Sequence, residues 1–231
     1  MTKTVAIHQP NYAPWSGFFH KIAVSDVFVL LDCAQYSKNS YINRSRILES
    51  GFAKWMTAPV SASSKSLIKD VLSPDAAWPG KHMGRLKNAY NNAAAFKQVW
   101  QGVKAMYGEL DSENISKANT SLIRSLCRML DIDTTIILES DLKLEPATGS
   151  ERLVAIVTRL TEGGTYFSGV GGKKYQDEKL FEDAGIGIRY SDFTANPYPQ
   201  NGPEFIAGLS ILDSIFNIGI DETRNAIHMK S

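Results

Sequence analysis

The chain is poor in cysteine. Cys33 and Cys127 are its only two in 231 residues, and both lie in apolar runs. That excludes a disulfide framework and predicts reduced, buried thiols. It also lacks any apolar run near the roughly twenty residues a membrane span needs, so no membrane span is expected. Charge of one sign is missing too. With 25 basic against 24 acidic side chains and a net charge of +1, no general field draws nucleic acid or acidic membranes, and any basic site must be local. The opening MTKTVAIHQP has no apolar core of the secretory kind, which predicts a cytoplasmic protein. There is no internal repeat and no low-complexity segment. No GxSxG elbow, CxxC pair or HExxH helix occurs, so those serine-hydrolase, dithiol and zinc-peptidase chemistries are not expected. No metal site is predicted.

What is present is an α/β alternation. The length is enough for a real core, and the whole of 1–231 reads as one domain. Val5–His8 predicts a short buried strand, Trp15–Ala23 a helix, and the apolar run from Asp26 to Asp32 a buried parallel strand. Together they form a compact βαβ unit, with a right-handed connection expected. Residues 36–47 read as a polar, basic loop, Lys54–Val60 as a strand, and Ile68–Leu72 as another. The spacing predicts helices over Pro79–Tyr107, broken near Asn91, and over Asn119–Leu130. Further on it predicts a strand at Thr134–Glu139 and a helix at Glu151–Thr161 capped by Ser150. A short helix Leu180–Ala184, a strand Ile186–Tyr190 and a terminal amphipathic helix Glu204–Asn217 complete the chain. The fold expected is α/β, a largely parallel sheet flanked by helices, with a helical insertion over about residues 75–130.

The chemistry concentrates where strands end. The first strand delivers His8, Gln9, Asn11, Tyr12 and Trp15, and carboxyl ends of strands are where open α/β sheets build ligand sites. His8 suits a general base, because imidazole titrates near neutrality; a strand-end histidine bonded to a carbonyl is the alternative. Gly17-x-x-His20 is similar to the phosphate-binding turn of nucleotidylyltransferases, though Pro14, Trp15 and Ser16 stand where a partner histidine belongs. Asp32, ending the parallel neighbour of the first strand, either faces the same crevice as His8 or caps a helix or turn, with Gln35 close behind. Lys38, Asn43, Arg44 and Arg46 form a basic cluster that suits phosphate or carboxylate. Ser168-Gly169-Val-Gly171-Gly172-Lys173-Lys174-Tyr175 permits close backbone approach to a ligand, but has neither Walker nor dinucleotide spacing. Cys33 is rejected as a nucleophile, since the adjacent Asp32 disfavours its thiolate.

The segment HQPNYAPWSGFFHKIAVSDVFVLLD, then QYSKNSYINRSRI, TYFSGVGGKKY and FIAGLSILDSIFNIG, resembles in order the WbqC-like family over nearly the whole chain. The matching positions are His8, Gln9, Pro10, Tyr12, Pro14, Trp15, Gly17, His20, Lys21, Asp32, Gln35, Lys38, Asn43, Arg44, Ser168, Gly169, Gly171, Gly172 and Tyr175. Cys33 departs from the acidic or small residue more usual there. The resemblance implies a bacterial protein associated with O-antigen and other surface-polysaccharide gene clusters. The activity expected is a cytoplasmic transferase moving an acyl or aminoacyl group to the amine of a sugar nucleotide. His8 and Asp32 are its expected catalytic pair, with His20 a further catalytic candidate. Lys38 and Arg44 would hold phosphates, and Tyr12, Trp15 and Tyr41 would stack on base or sugar. The expected donor is an acyl or aminoacyl thioester, with an acyl-carrier protein as a possible partner. The alternatives are a nucleotidylyltransferase-like enzyme, or a non-catalytic protein binding a sugar nucleotide or carrier within an assembly.

Overall fold

The structure, a computed structural model, describes residues 2–63 and 65–228. In chain order its elements begin β1 (Thr4–His8), α1 (Ser16–Ala23), β2 (Val27–Leu30), β3 (Arg44–Glu49) and β4 (Phe52–Thr57). Then come α2 (Trp78–Tyr90), α3 (Phe96–Gly108), α4 (Ile115–Met129), β5 (Thr135–Leu138) and α5 (Gly149–Leu160). The chain closes with β6 (Thr165–Ser168), α6 (Glu178–Asp183), β7 (Gly187–Tyr190) and α7 (Ile211–His228).

Five strands form one sheet in the order β5-β2-β1-β6-β7, and every neighbouring pair is parallel. The chain starts at the centre, steps outward through β2 to β5, then returns to the other side of β1 for β6 and β7. Right-handed crossovers in opposite directions put helices on opposite faces. Ala6, Phe28, Leu30 and Phe167 accordingly pack into one large core with α1, the α2–α4 block and α7. Val5, Ile7, Val27, Val29 and Tyr166 pack with α5 and α6. Strands covered on both faces need apolar residues at consecutive positions, which explains why Val27–Leu30 does not alternate. The order reverses between β1 and β6, and that makes a crevice at their carboxyl ends.

Several expectations need correction. The basic loop predicted over 36–47 gives way at Arg44 to β3, which pairs antiparallel with β4 as a separate hairpin. Its turn, Ser50-Gly51, has φ of 53° and 78°, the left-handed pair that a two-residue hairpin turn requires. Ile68–Asp70 is a 3-10 turn rather than a strand. α4 starts at Ile115 rather than Asn119, and Asn114 caps it by accepting from the Lys117 amide. Ser150 does not cap α5; its hydroxyl accepts from the Asp177 amide instead. The terminal helix starts at Ile211, not Glu204, and runs through a kink at Gly219 to His228. Tyr198 and Gln200 bind the Asp213 carboxylate, so the chain ahead of α7 is committed to side-chain contacts that apolar periodicity does not reveal. The break near Asn91 is present, between α2 and α3, and α2–α4 form the helical block between β4 and β5. No helix among the described residues is long and apolar enough to cross a membrane.

Candidate functional site

A cavity of about 510 Å³ occupies the crevice where the strand order reverses. Its floor is the ends of β1 and β6, and its rim comes from the start of α5 and the glycine-rich turn after β6. Ligand sites of this size and position are typical of open α/β sheets.

β1 brings His8 and Gln9 to the cavity. His8 Nδ1 donates to the Gln9 carbonyl at 3.0 Å, which leaves the Nε2 lone pair free as an acceptor. Burial, and then the charge of Lys21, lower its pKa to about 4, so the ring is neutral at pH 7. Phe18 packs edge-on against it at 5.0 Å and fixes its plane.

Lys21 comes from the inward face of α1 and is 5 % exposed. Its Nζ donates to the Ile7 carbonyl at 2.8 Å and lies 6.0 Å from the centre of the Tyr166 ring. Burial lowers its pKa to about 7. It forms no ion pair among the described residues, so an anion in the cavity would meet an ammonium without a counter-charge.

From β6, Ser168 accepts from Gln176 Nε2 at 2.9 Å, and the same amide reaches the Tyr166 hydroxyl at 3.3 Å. Gln176 Oε1 is buried with no hydrogen-bond partner among the described residues. Gly169, Gly171 and Gly172 form the rim with Tyr175, which is 77 % exposed. Opposite them, the first turn of α5 carries no side-chain cap, and its amides and dipole favour an anion. Arg152, one turn in, grips both oxygens of Glu139, the second at 2.6 Å.

Of the residues singled out in the sequence, the structure brings His8, Gln9, Ser168, Gly169, Gly171, Gly172 and Tyr175 together. It places the others elsewhere. Asp32 does not orient His8: its carboxylate accepts from the Ser140 amide at 2.9 Å and hydroxyl at 2.6 Å. His20 is stacked on Phe193 at 4.7 Å and bound to the Ile227 carbonyl at 2.6 Å, outside the cavity. Tyr12 is 1 % exposed, and its hydroxyl lies between His82 and Tyr107, so it stacks on no ligand. Trp15 folds over the first turn of α1, where a Cβ on Gly17 would come within 2.3 Å of its ring; the x-Gly spacing there serves that contact. Asn43 joins Tyr36 to the Ala58 carbonyl, and Arg44 lies 4.1 Å over Trp55 on the hairpin. Asn11, Gln35, Lys38 and Lys173 do not line the cavity.

Lys21, named above only as a family-matching position, and Arg152 and Gln176, not singled out in the sequence, also line the cavity. For Lys21 the sequence held a signal: it lies three residues after Phe18 and one before Ile22, a charge inside the apolar stripe of α1. Burial, Asp32 and Glu139 raise the pKa of the Cys33 thiol, which disfavours its thiolate. Asp32, Cys33 and Glu139 hold ligand atoms within 4.8 Å of one another, but Ser140 and Arg152 already engage both carboxylates.

Among known proteins, a Mycobacterium tuberculosis (strain H37Rv) protein named only as the uncharacterized protein Rv1507c is 32 % identical over 222 residues, covering 95 % of each chain. No solved structure gives a significant match. The profile of the WbqC-like protein family matches residues 9–225, nearly the whole sequence including the cavity residues beyond His8. The chain therefore belongs to the WbqC-like protein family.

Proposed function

We propose that this chain is a transferase whose active site is the cavity between β1 and β6. It would move an acyl or aminoacyl group from a thioester donor to the amine of a sugar nucleotide, as a cytoplasmic step in bacterial surface-polysaccharide assembly. The polysaccharide setting rests on the family resemblance. The chemistry rests on one observation: a neutral histidine with a free Nε2 stands beside a buried lysine that has no counter-ion, in a cavity at the topological switch point.

The acceptor amine attacks the thioester carbonyl, forming the C–N bond. His8 Nε2 takes the proton the nitrogen loses. The tetrahedral intermediate then collapses, the C–S bond breaks, and the departing thiolate receives that proton. Lys21, the first turn of α5 and the glycine-rich turn hold the anionic part of the ligand. Docking an anion raises the lysine's proton affinity, so the ligand itself would draw Lys21 into its charged form. Cys33 has no part in this, and no covalent enzyme intermediate is required.

Nucleotidylyl transfer is the second reading. The strand order, with its switch point beside the first strand, favours a nucleotide there. It is weakened by His20, which lies outside the cavity.

The test is a transfer assay read by mass spectrometry, with amino-sugar nucleotides and thioester donors supplied free or on a carrier protein. N-acylated product is expected from wild type and at least a hundredfold less from His8→Gln, about the contribution of a general base. Product dependent on a nucleoside triphosphate and magnesium would instead support nucleotidylyl transfer. Binding without turnover would support a non-catalytic assembly protein.

A further inference from the structure

A second cavity, about 450 Å³, opens at the carboxyl ends of β2 and β5 against α4. It is separate from the first: Leu31 lines the first and Asp32 the second, while Arg152 lines the first and holds Glu139 beside Ser140 of the second.

Its charge is one-sided. α4 presents Lys117, Arg124 and Arg128, seven and four residues apart, on one helical face. Lys69 faces them from the 3-10 turn. The single acidic side chain on the wall, Asp32, is held by the Ser140 amide and hydroxyl. Lys69, Arg124 and Arg128 form no ion pair among the described residues. Arg124 donates only to the Ile136 carbonyl at 3.2 Å, and Arg128 to Ser125 Oγ at 2.8 Å. Lys117 approaches Asp111 no closer than 3.8 Å. Thr120 on the same wall is 6 % exposed, and its hydroxyl has no hydrogen-bond partner among the described residues.

Four cations around one concavity repel one another unless an anion sits between them. A single carboxylate is a poor match. Along a helix, Lys117 to Arg128 covers roughly 16 Å, longer than one small anion, and guanidinium forks suit phosphate oxygens. We propose that this cavity is a second ligand site, which takes a molecule bearing a diphosphate, of the nucleoside diphosphate class. Arg124 and Arg128 grip one phosphate from adjacent turns of α4. Lys69 and Lys117 close on the other. This inference does not depend on the transferase reading of the first cavity.

The test is calorimetric titration of the whole chain with inorganic pyrophosphate and with uridine diphosphate, at low and high salt. Wild type, Arg124→Ala/Arg128→Ala and Lys21→Met are compared. Binding that weakens with salt is expected for wild type. It should be about tenfold weaker or worse in the arginine pair variant, and the component of binding that this variant loses should persist in Lys21→Met, which removes only the anion contact of the first cavity. Lys69→Gln/Lys117→Gln, from the other end of the cavity, should also weaken it, which guards against misfolding of either variant alone. Absence of binding by folded wild type would overturn the site, as would full affinity in both paired variants. Loss in Lys21→Met alone would place the anion in the first cavity, overturning the second site and leaving the transferase reading standing.

Discussion

Lys21 Nζ hydrogen-bonds the Ile7 carbonyl at 2.8 Å, so the lysine of α1 is tied to the strand end that presents His8. The contact satisfies one of its protons and leaves the rest facing the cavity. With its pKa lowered to about 7 by burial, Lys21 is half charged near neutrality. In a spectrum of Cε-labelled lysine, one resonance should titrate near pH 7 and disappear in Lys21→Met. Unfolding at pH 7 takes up about half a proton here, because the unfolded amine has its usual pKa near 10.5. The charged form is penalised in the folded state, so Lys21→Met should be more stable than wild type by about 1–3 kcal/mol and yet inactive. Thermal denaturation and the transfer assay, run on the same preparations, check both halves.

A second pH effect comes from the hydroxyl chain beside β1. Tyr107 donates to Tyr12, Tyr12 donates to His82 Nδ1 at 2.7 Å, and His82 Nε2 donates to the Thr57 carbonyl at 3.2 Å. Only a neutral imidazole completes this chain, and burial lowers the His82 pKa to about 4. Its folded pKa is below the unfolded value of 6.5, so its stabilising effect is complete above pH 6.5 and is lost as pH falls through 4. The expected slope is about 1.4 kcal/mol per pH unit in that window. Denaturant unfolding at several pH values should show a shallower slope for His82→Gln than for wild type.

The glycines of the rim separate into two kinds. A Cβ on Gly172 would lie 2.3 Å from Ser168 Oγ and 2.6 Å from Gln176 Nε2. Gly172→Ala should therefore break that network and destabilise the fold by about 1–3 kcal/mol. A Cβ on Gly171 would meet nothing within 4 Å. Gly171→Ala should leave stability within about 0.5 kcal/mol of wild type. If the ligand lies against this turn, it should still raise KM. Equal KM in wild type and Gly171→Ala would remove the turn from the binding surface.

The sheet was legible in the sequence because its strands are short apolar runs bounded by polar residues, and burial on both faces writes that pattern directly. The glycine turn and His8 were legible for the same reason: they stand where strands stop. What failed needed tertiary knowledge. HQPNYAPW reads as one cluster of ligand groups, yet only His8 and Gln9 face the cavity. Asn119 on α4 donates to the Pro10 and Ile42 carbonyls, Ser45 donates to the Ala13 carbonyl, and Tyr12 is drawn into the α2–α3 core. These contacts span 32 to 109 positions, beyond the reach of periodicity. Asp32 was placed beside His8 because their strands are adjacent and parallel. The strand-end register puts Leu31 at the first cavity and turns Asp32 to Ser140.

Where an anionic amino-sugar ligand binds decides whether the cavity between β1 and β6 is the active site. The direct measurement is the thermal shift given by a saturating amino-sugar nucleotide on wild type, His8→Gln, Lys21→Met and Arg124→Ala/Arg128→Ala. At a hundredfold excess over Kd, wild type should gain about 2.7 kcal/mol, or about 5–10 °C. Lys21→Met should lose the part of that gain that the arginine pair variant keeps, and His8→Gln should keep all of it while losing turnover. A full shift in Lys21→Met, lost only in the α4 arginine variant, would contradict the assignment of the active site to the cavity between β1 and β6.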